Sequence, residues 1–231
     1  MKPLQIIRHF FGLIYPELCE ACGESLNSDE KTFCLSCLYH LPRTNYWNED
    51  KNPLEQMFWG RVKLEHVCAL FFFGKGSRYR NLLHKLKYKG QTEIGVKLGQ
   101  QLGQELKTSS LYDSINVIVP VPLHPKKLYK RGYNQSEQIA KGIAQATGWE
   151  LNTTALIRNV FTETQTRKTK MERWENVAEV FSVKMPEELK NKYVLLVDDV
   201  LTTGATIEAC AKKLLEVEGC KISVATLAVA K

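Results

Sequence analysis

The sequence lacks any apolar run of the ~20 residues that a membrane-spanning helix needs. Its most apolar N-terminal stretch, Leu4 to Tyr15, is interrupted by Arg8 and His9, and no small-residue cleavage site follows it. An amphipathic helix with Leu4, Ile7, Phe11 and Ile14 on one face, packed on the rest of the protein, accounts for it better than a span or a leader. The expectation is a cytoplasmic protein. Two nucleotide signatures are also missing. There is no Gly-x-x-x-x-Gly-Lys-Ser/Thr and no Gly-x-Gly-x-x-Gly, so nucleoside triphosphate hydrolysis and dinucleotide binding of the Rossmann type lose their hallmarks. Internal repeats and low-complexity tracts are absent as well.

The 231 residues are 44% hydrophobic and 25% charged, close to the soluble globular average, which disfavours disordered, collagen-like and membrane-bundle classes. Lys and Arg exceed Asp and Glu by 32 to 25, a net charge of +7. That excess favours polyanionic partners, either nucleic acid or phosphorylated ligands. The seven cysteines are an odd number, and only the first four are patterned. Cys68, Cys210 and Cys220 stand in apolar surroundings, so a metal site plus buried thiols fits better than a disulfide framework.

Two units are expected, 1–58 as a small cysteine module with little core of its own and 59–231 as an α/β domain. From Trp59 onward apolar runs and amphipathic stretches alternate: Val67 to Phe73 reads as a strand, Ser77 to Leu86 as a helix, and Glu93 to Leu106 as a helix with Ile94, Leu98, Leu102 and Leu106 on one face. Gly99-x-x-x-Gly103 within that helix reads as a close-packing device. Asn116 to Val121 is a buried strand ending in Pro120-Val121-Pro122, Asn134 to Ala146 a helix, and Leu156 to Val160 and Glu179 to Val183 short strands. Tyr193 to Asp199 is a strand, Thr206 to Glu216 a helix, and Ile222 to Val229 the last strand. This order implies a mostly parallel sheet flanked by helices.

Cys19-x-x-Cys22 and Cys34-x-x-Cys37 are separated by eleven residues. Paired elements of this kind bring four thiolates to the corners of a tetrahedron, the geometry zinc prefers, and a sphere closed by four sulfurs makes the metal structural. Gly23 follows the first pair, where a tight backbone is required. A redox role is the rival, but it lacks the thioredoxin-like βαβ context. His40 is either an alternative ligand or, more simply, a solvent-facing residue. Between Cys19 and Cys37 stand one lysine and four acids, Glu20, Glu24, Asp29 and Glu30, which favours structural or docking duty over nucleic-acid contact.

The sharpest motif is Tyr193 to Thr206, an apolar strand followed by Asp198 and Asp199, a Thr-Thr-Gly turn and a helix. Ligands of α/β folds bind at the C-terminal ends of parallel strands. Loop amides at a helix N-terminus, together with the hydroxyls of Thr202, Thr203 and Thr206, suit a phosphate dianion. A strand end with an ordinary helix cap is the plain alternative.

This stretch resembles the phosphoribosyl pyrophosphate (PRPP) loop of type I phosphoribosyltransferases. The resemblance implies that Asp198 and Asp199 bind the ribose 2′ and 3′ hydroxyls and that Thr202, Thr203, Gly204, Ala205 and Thr206 hold the 5′-phosphate. With the N-terminal four-cysteine module, Val119-Pro120-Val121-Pro122-Leu123-His124 and Lys130-Arg131-Gly132-Tyr133-Asn134-Gln135, nearly the whole chain resembles the ComF family of competence-associated proteins. The fold implied is that of a type I phosphoribosyltransferase with a small N-terminal zinc module. The implied activity is transfer of a phosphoribosyl group from PRPP, with magnesium, to an acceptor the motif does not identify, in the setting of DNA uptake.

The resemblance further implies a pyrophosphate loop at Val121 to Lys127, with Lys126, Lys127 and nearby Arg131 supplying charge. It also implies a loop that closes over PRPP between Thr162 and Asn176, carrying Arg167, Lys168 and Lys170. The catalytic pair would be Asp198 and Asp199. A competing reading keeps the fold without catalysis, as a single-stranded DNA-binding or partner-docking component of the competence machinery. The basic run Arg78, Arg80, Lys85, Lys87 and Lys89, with Tyr79 and Tyr88 interleaved, either tracks a nucleic-acid backbone or is the wet face of a helix.

Overall fold

The computed structural model describes residues 16–74, 76–159 and 180–230. The N-terminal stretch with Leu4, Ile7, Phe11 and Ile14, and the basic loop with Arg167, Lys168 and Lys170, lie outside the described residues. Among the described residues no helix is long and apolar enough to cross a membrane.

Five strands, β1 (Val67–Phe73), β2 (Val117–Pro120), β3 (Glu150–Leu151), β6 (Tyr193–Leu201) and β7 (Lys221–Ala230), form one sheet in the order β1-β7-β6-β2-β3. Every pairing in it is parallel. Parallel strands are buried on both faces and therefore read as continuous apolar runs, which is why β1, β2, β6 and β7 are evident in the sequence. In β6, Leu195 and Val197 face one core and Val194 and Leu196 the other.

The first core is covered by α3 (Arg78–Tyr88), α4 (Thr92–Lys107) and α6 (Gln135–Thr147), through residues such as Leu82, Leu86, Leu98, Leu102, Ile139 and Ile143. Phe33, Cys37, Leu41 and Trp47 of the N-terminal region join this same core. The second is covered by α7 (Ala205–Leu215), with Ile207, Cys210 and Leu214, and by Leu54 and Phe58 at and just beyond the short helix α2 (Pro53–Gln56). A further short helix, α1 (Leu35–Tyr39), carries Cys37.

Three features depart from the sequence reading. Strand β6 does not stop at the acids but runs on to Leu201, with Asp198 paired to Thr226 and Leu201 to Val229 of β7. The ladder to β7 outweighs the poor strand preference of two adjacent aspartates. The stretch expected as a loop up to Lys127 instead turns into helix α5 (Pro125–Arg131), with His124 accepting from the Lys126 amide at 3.1 Å, Pro125 in the first turn and Gly132 as a left-handed C-cap. Finally β4 (Leu156–Arg158) and β5 (Phe181–Val183) pair antiparallel as a separate two-stranded unit, outside the parallel sheet.

Helices α4 and α6 approach so closely that glycine is required at the crossing. A Cβ on Gly99 would lie 2.2 Å from the Ile139 carbonyl oxygen, and one on Gly142 would lie 2.1 Å from that of Val96. Backbone cannot yield as a flexible side chain does, so Gly142→Ala is expected to cost about 3 kcal/mol through overpacking. The measurement is the shift of the urea unfolding midpoint; an unchanged midpoint contradicts this packing.

Candidate functional site

The C-terminal edge of the parallel sheet gathers the acids, the hydroxyl-rich loop and a basic cavity. Asp199 is buried at 5% exposure, and Asp198 is partly buried beside it. Ser136, in the first turn of α6, donates its hydroxyl to Asp198 Oδ1 at 2.8 Å, and the Asp199 amide donates to the same oxygen at 2.8 Å. Asn134 places Ser136: its Oδ1 accepts from the Ser136 amide at 3.1 Å while its Nδ2 donates to the Val121 carbonyl at 3.0 Å. The end of β2 is thereby pinned to the start of α6.

Two adjacent carboxylates here need a cation, and Lys87 supplies it. Its Nζ lies 2.9 Å from Asp199 Oδ2. Burial first, and then the charge on Asp199, push the Asp198 carboxyl up to about 7, against the lowering effect of Ser136, the Asp199 amide and Lys87.

Beyond the acids, Thr202, Thr203, Ala205 and Thr206 are exposed around Gly204, which is buried with φ +77°. A Cβ at Gly204 would sit 2.8 Å from the Phe58 ring, so glycine is needed both for the left-handed turn and for the close approach. Gly204 is the N-cap of α7 and has no side chain to accept from that helix's first amides. The Ala205 amide lies 3.5 Å from Thr203 Oγ1, and the first-turn amides of α7 with the adjoining exposed threonines form a turn of the kind suited to a phosphate. Arg61 braces the turn from outside: its Nη1 donates to the Thr203 carbonyl at 3.1 Å and its Nε to Glu208 Oε2 at 2.9 Å.

A cavity of about 340 Å³ is lined by Lys87, Tyr88, Gly90, Lys127, Lys130, Arg131 and Tyr133. The Arg131 guanidinium stacks 5.0 Å from the centre of the Tyr88 ring and donates to Gln135 Oε1 at 2.8 Å. Lys127 and Arg131 thus meet Lys87 in one basic cavity, whereas Lys126 is exposed at the start of α5 and does not line it.

The basic run on α3 is neither a free nucleic-acid track nor simply a wet face. Lys85 is bound to Glu20 at 2.8 Å, Lys87 to Asp199, and the Tyr79 side chain is buried with its hydroxyl donating to the Cys37 carbonyl at 3.0 Å. Ser136, Lys87 and Arg61 escaped sequence reasoning. Lys87 and Arg61 act on residues more than a hundred positions away in the chain, while Ser136 stands next to the noted Asn134-Gln135.

In the N-terminal region the sulfurs of Cys19, Cys22, Cys34 and Cys37 all lie within 4.8 Å of one another, with Cys22 Sγ 3.7 Å from Cys34 Sγ. Four ligands at about 2.3 Å from zinc stand about 3.8 Å apart, so the set fits a structural zinc ion. The Cys34 amide donates to Cys19 Sγ at 3.3 Å and Arg78 Nη1 to Cys37 Sγ at 3.8 Å, the outer-layer donors that thiolates require. Burial pushes the metal-free Cys37 thiol up to about 12. Burial also acts to raise Cys19, but the amides of Cys34, Cys22 and Ala21 overcome it and bring that thiol to about 7. Zinc must therefore displace protons to bind. His40 is exposed, its Nδ1 2.8 Å from the Ser36 carbonyl, and stands apart from the cluster. Cys68, Cys210 and Cys220 are buried free thiols.

Another grouping, Asp50, Glu55 and His66, lies at the start of β1. Glu55 there already accepts from Asn52 Nδ2 and from the Lys51 and Val67 amides, so it serves the backbone.

Residues 133–231 match the phosphoribosyl transferase domain family. With the parallel sheet and the loop after β6, the match defines a type I phosphoribosyltransferase fold. The chain is 27% identical over 201 residues to the DNA utilization protein YhgH of Escherichia coli K12, covering 86% of this chain and 84% of that protein. It is 30% identical over 137 residues to YhgH of Salmonella typhimurium, covering 58% of this chain and 60% of that protein. Competence protein F of Haemophilus influenzae is 28% identical over 137 residues, covering 58% and 60%. These similarities, to a phosphoribosyl transferase domain and to DNA utilization and competence proteins, support a ComF-like, phosphoribosyltransferase-like protein. Among solved structures, an allosteric regulatory enzyme of purine biosynthesis superposes with a TM-score of 0.46 at 22% identity, over 62% of this chain and 30% of that one.

Two outcomes follow from this geometry. Cys37→Ala is expected to lose the metal and melt the cysteine module, since zinc supplies ~10 kcal/mol or more to such units; zinc released to a chromophoric chelator, one per wild-type chain and none from the variant, is the readout. Because the folded Asp198 carboxyl is raised, its stabilising share is present below the ordinary carboxylate range near 4 and is lost as pH rises through about 7. Asp198→Asn should therefore melt higher than the wild type at pH 8 and close to it at pH 5. A difference of the same size at both values contradicts the buried charge.

Proposed function

We propose that the protein binds PRPP with magnesium at the edge formed by Asp198 to Thr206 and transfers its phosphoribosyl group to an acceptor, in the cytoplasm and in the service of DNA uptake. The observation that carries the reading is the juxtaposition of a buried carboxylate pair, a Gly204-centred loop on a helix N-terminus and a cavity of four cations reached through Lys87. The relatives' names, DNA utilization and competence protein, support the setting.

Asp198 and Asp199 accept from the ribose 2′ and 3′ hydroxyls and hold the sugar's orientation, with Ser136 keeping Asp198 in place. The loop amides and the hydroxyls of Thr202, Thr203 and Thr206 take the 5′-phosphate. The bond from the anomeric carbon to pyrophosphate breaks, a bond to the acceptor forms, and the acceptor's proton is released. No nucleophilic side chain is required, and positioning with charge balance does the catalysis. Lys87, Lys127, Lys130 and Arg131 stabilise the leaving pyrophosphate; Lys126 stands exposed outside the cavity lining, and the resemblance adds Arg167 and Lys168, which lie outside the described residues. Magnesium would be held at the Asp198–Asp199 edge and would supply charge neutralisation to the leaving pyrophosphate. The cysteine module, 1–58, serves as a zinc-stabilised unit docked on the domain of 59–231.

A second reading, single-stranded DNA binding without transfer, is favoured by one surface: α5 presents Lys126, Lys127, Lys130 and Arg131 beside Tyr129, which is 94% exposed. Cations along a backbone and an aromatic platform for a base are what such binding uses.

Calorimetric titration of the zinc-loaded protein with PRPP, with and without magnesium, decides between them. Magnesium-dependent binding is expected. Asp198→Asn together with Asp199→Asn should weaken it at least ~100-fold, about 3 kcal/mol, with the fold intact by circular dichroism. Unchanged affinity in the double variant overturns the site. Absent PRPP binding combined with salt-dependent binding of a single-stranded oligonucleotide selects the second reading.

A further inference from the structure

One residue of the cysteine module grips the α3–α4 corner from both sides. Glu20, between Cys19 and Cys22, accepts from Lys85 Nζ at Oε2 at 2.8 Å and through its backbone carbonyl at 2.9 Å, and its Oε1 accepts from Gln91 Nε2 at 2.8 Å. Lys85 stands in the last turn of α3 and Gln91 is the N-cap of α4. Between them are Lys87, whose ammonium meets Asp199, and Tyr88, which stacks with Arg131. The start of α3 is tied to the same module, through Arg78 to Cys37 Sγ and the Tyr79 hydroxyl to the Cys37 carbonyl. From the other side, the Tyr133 hydroxyl donates to the Leu86 carbonyl.

A lysine has four rotatable bonds and loses up to about 2 kcal/mol of conformational entropy when its side chain is fixed. Where the ammonium comes to rest therefore depends on how firmly its Cα is held. The Lys87 backbone is held by the packing of Leu83 and Leu86 on the core and, at the α3–α4 corner, by polar contacts that among the described residues include Glu20 and Tyr133. The ammonium is both 2.9 Å from the acid that would hold the sugar and a wall of the basic cavity.

We propose that Glu20 is a positioning residue for the phosphoribosyl site: by clamping the α3–α4 corner it holds Lys87 between the carboxylate pair and the basic cavity, so the cysteine module sets that site's affinity for a ribose-pyrophosphate ligand. Lys87 touches the ligand and Glu20 acts through it. The proposal rests on the PRPP reading above for its ligand, but not for the clamp itself.

The test is a double-mutant cycle read in two ways, with PRPP and magnesium as the titrant. Lys87→Met should weaken binding about tenfold and Glu20→Ala about fivefold, at the lower end of the range for coupling between sites. In the Lys87→Met background, Glu20→Ala should add less than about twofold, since coupled residues are non-additive. A full fivefold loss in that background overturns the clamp.

The second readout needs no ligand. The pH midpoint of the Asp198 carboxyl, followed by carbon NMR, should move up in Lys87→Met as a neighbouring positive charge is removed. It should move the same way in Glu20→Ala. A midpoint unmoved in Glu20→Ala overturns the proposal whatever PRPP does. If PRPP fails to bind the wild type while both midpoints move, the ligand reading falls and the clamp stands. Zinc content and thermal melting confirm that each variant is folded. If Glu20→Ala loses zinc, Lys85→Met with Gln91→Leu releases the same clamp from the α3–α4 side and carries the same expectations.

Discussion

The structure is organised around the cost of carrying two adjacent aspartates into the buried end of its central strand. Like charges on neighbouring residues repel, and removal from water raises the penalty for each. Strand β6 accepts that cost because both its edges are paired, to β2 and to β7. Compensation comes from three directions: Ser136 on α6, the strand's own amide at Asp199, and Lys87 on α3. Each compensator fixes an element. The start of α6 is pinned to the end of β2 through Asn134, and the end of α3 is drawn over the sheet edge. An apolar pair at 198 and 199 would avoid that cost, which marks the two carboxylates as functional-site candidates rather than strand stabilisers.

The cysteine module answers a different shortage. Its short elements bury little surface by themselves, and small units of this kind are held by metal rather than by core. Phe33, Cys37 and Leu41 instead feed the core under α3 and α4. One of its acids, Glu20, meets Lys85 of α3, while Glu30 accepts from the Asn27 and Leu35 amides within the module, so among the described residues a single acid ties the module to that helix. Module and sheet edge thereby share one helix: the start of α3 meets the module through Arg78 and Tyr79, and its last turn meets both, Lys85 binding Glu20 and Lys87 binding Asp199.

Much of this was legible in the sequence. Strands buried on both faces must be apolar throughout, and β1, β2, β6 and β7 announced themselves; α4, α6 and α7 carried a periodic stripe, α6 and α7 with a glycine or asparagine at one end. The acid pair, the loop after it and the four cysteines were visible because their chemistry is contiguous. Helix α5 was not, for a physical reason: none of its residues is buried, so no apolar stripe betrays it. Only His124-Pro125 at its start and Gly132 at its end mark it, and these are weaker signals than a core face. The C-terminal end of β6 was misjudged because local preference was weighed without the ladder to β7.

What local pattern cannot supply is pairing across the chain. Lys87 stands in a run of cations that any reading would assign to solvent or to nucleic acid, and nothing within ten residues distinguishes it from Lys89. The difference is made by topology. A parallel sheet brings the C-terminal ends of all its strands to one edge, so the helix following β1, the turn following β2 and the loop following β6 converge there although far apart in sequence. A cation on any of those elements is a candidate partner for the acids, and the helix geometry of α3 selects Lys87, because Lys85 is turned toward the module and taken by Glu20. Two lysines two positions apart in the last turn of a helix thus bind opposite neighbours, and it is this divergence that joins the cysteine module to the acid-bearing edge of the sheet.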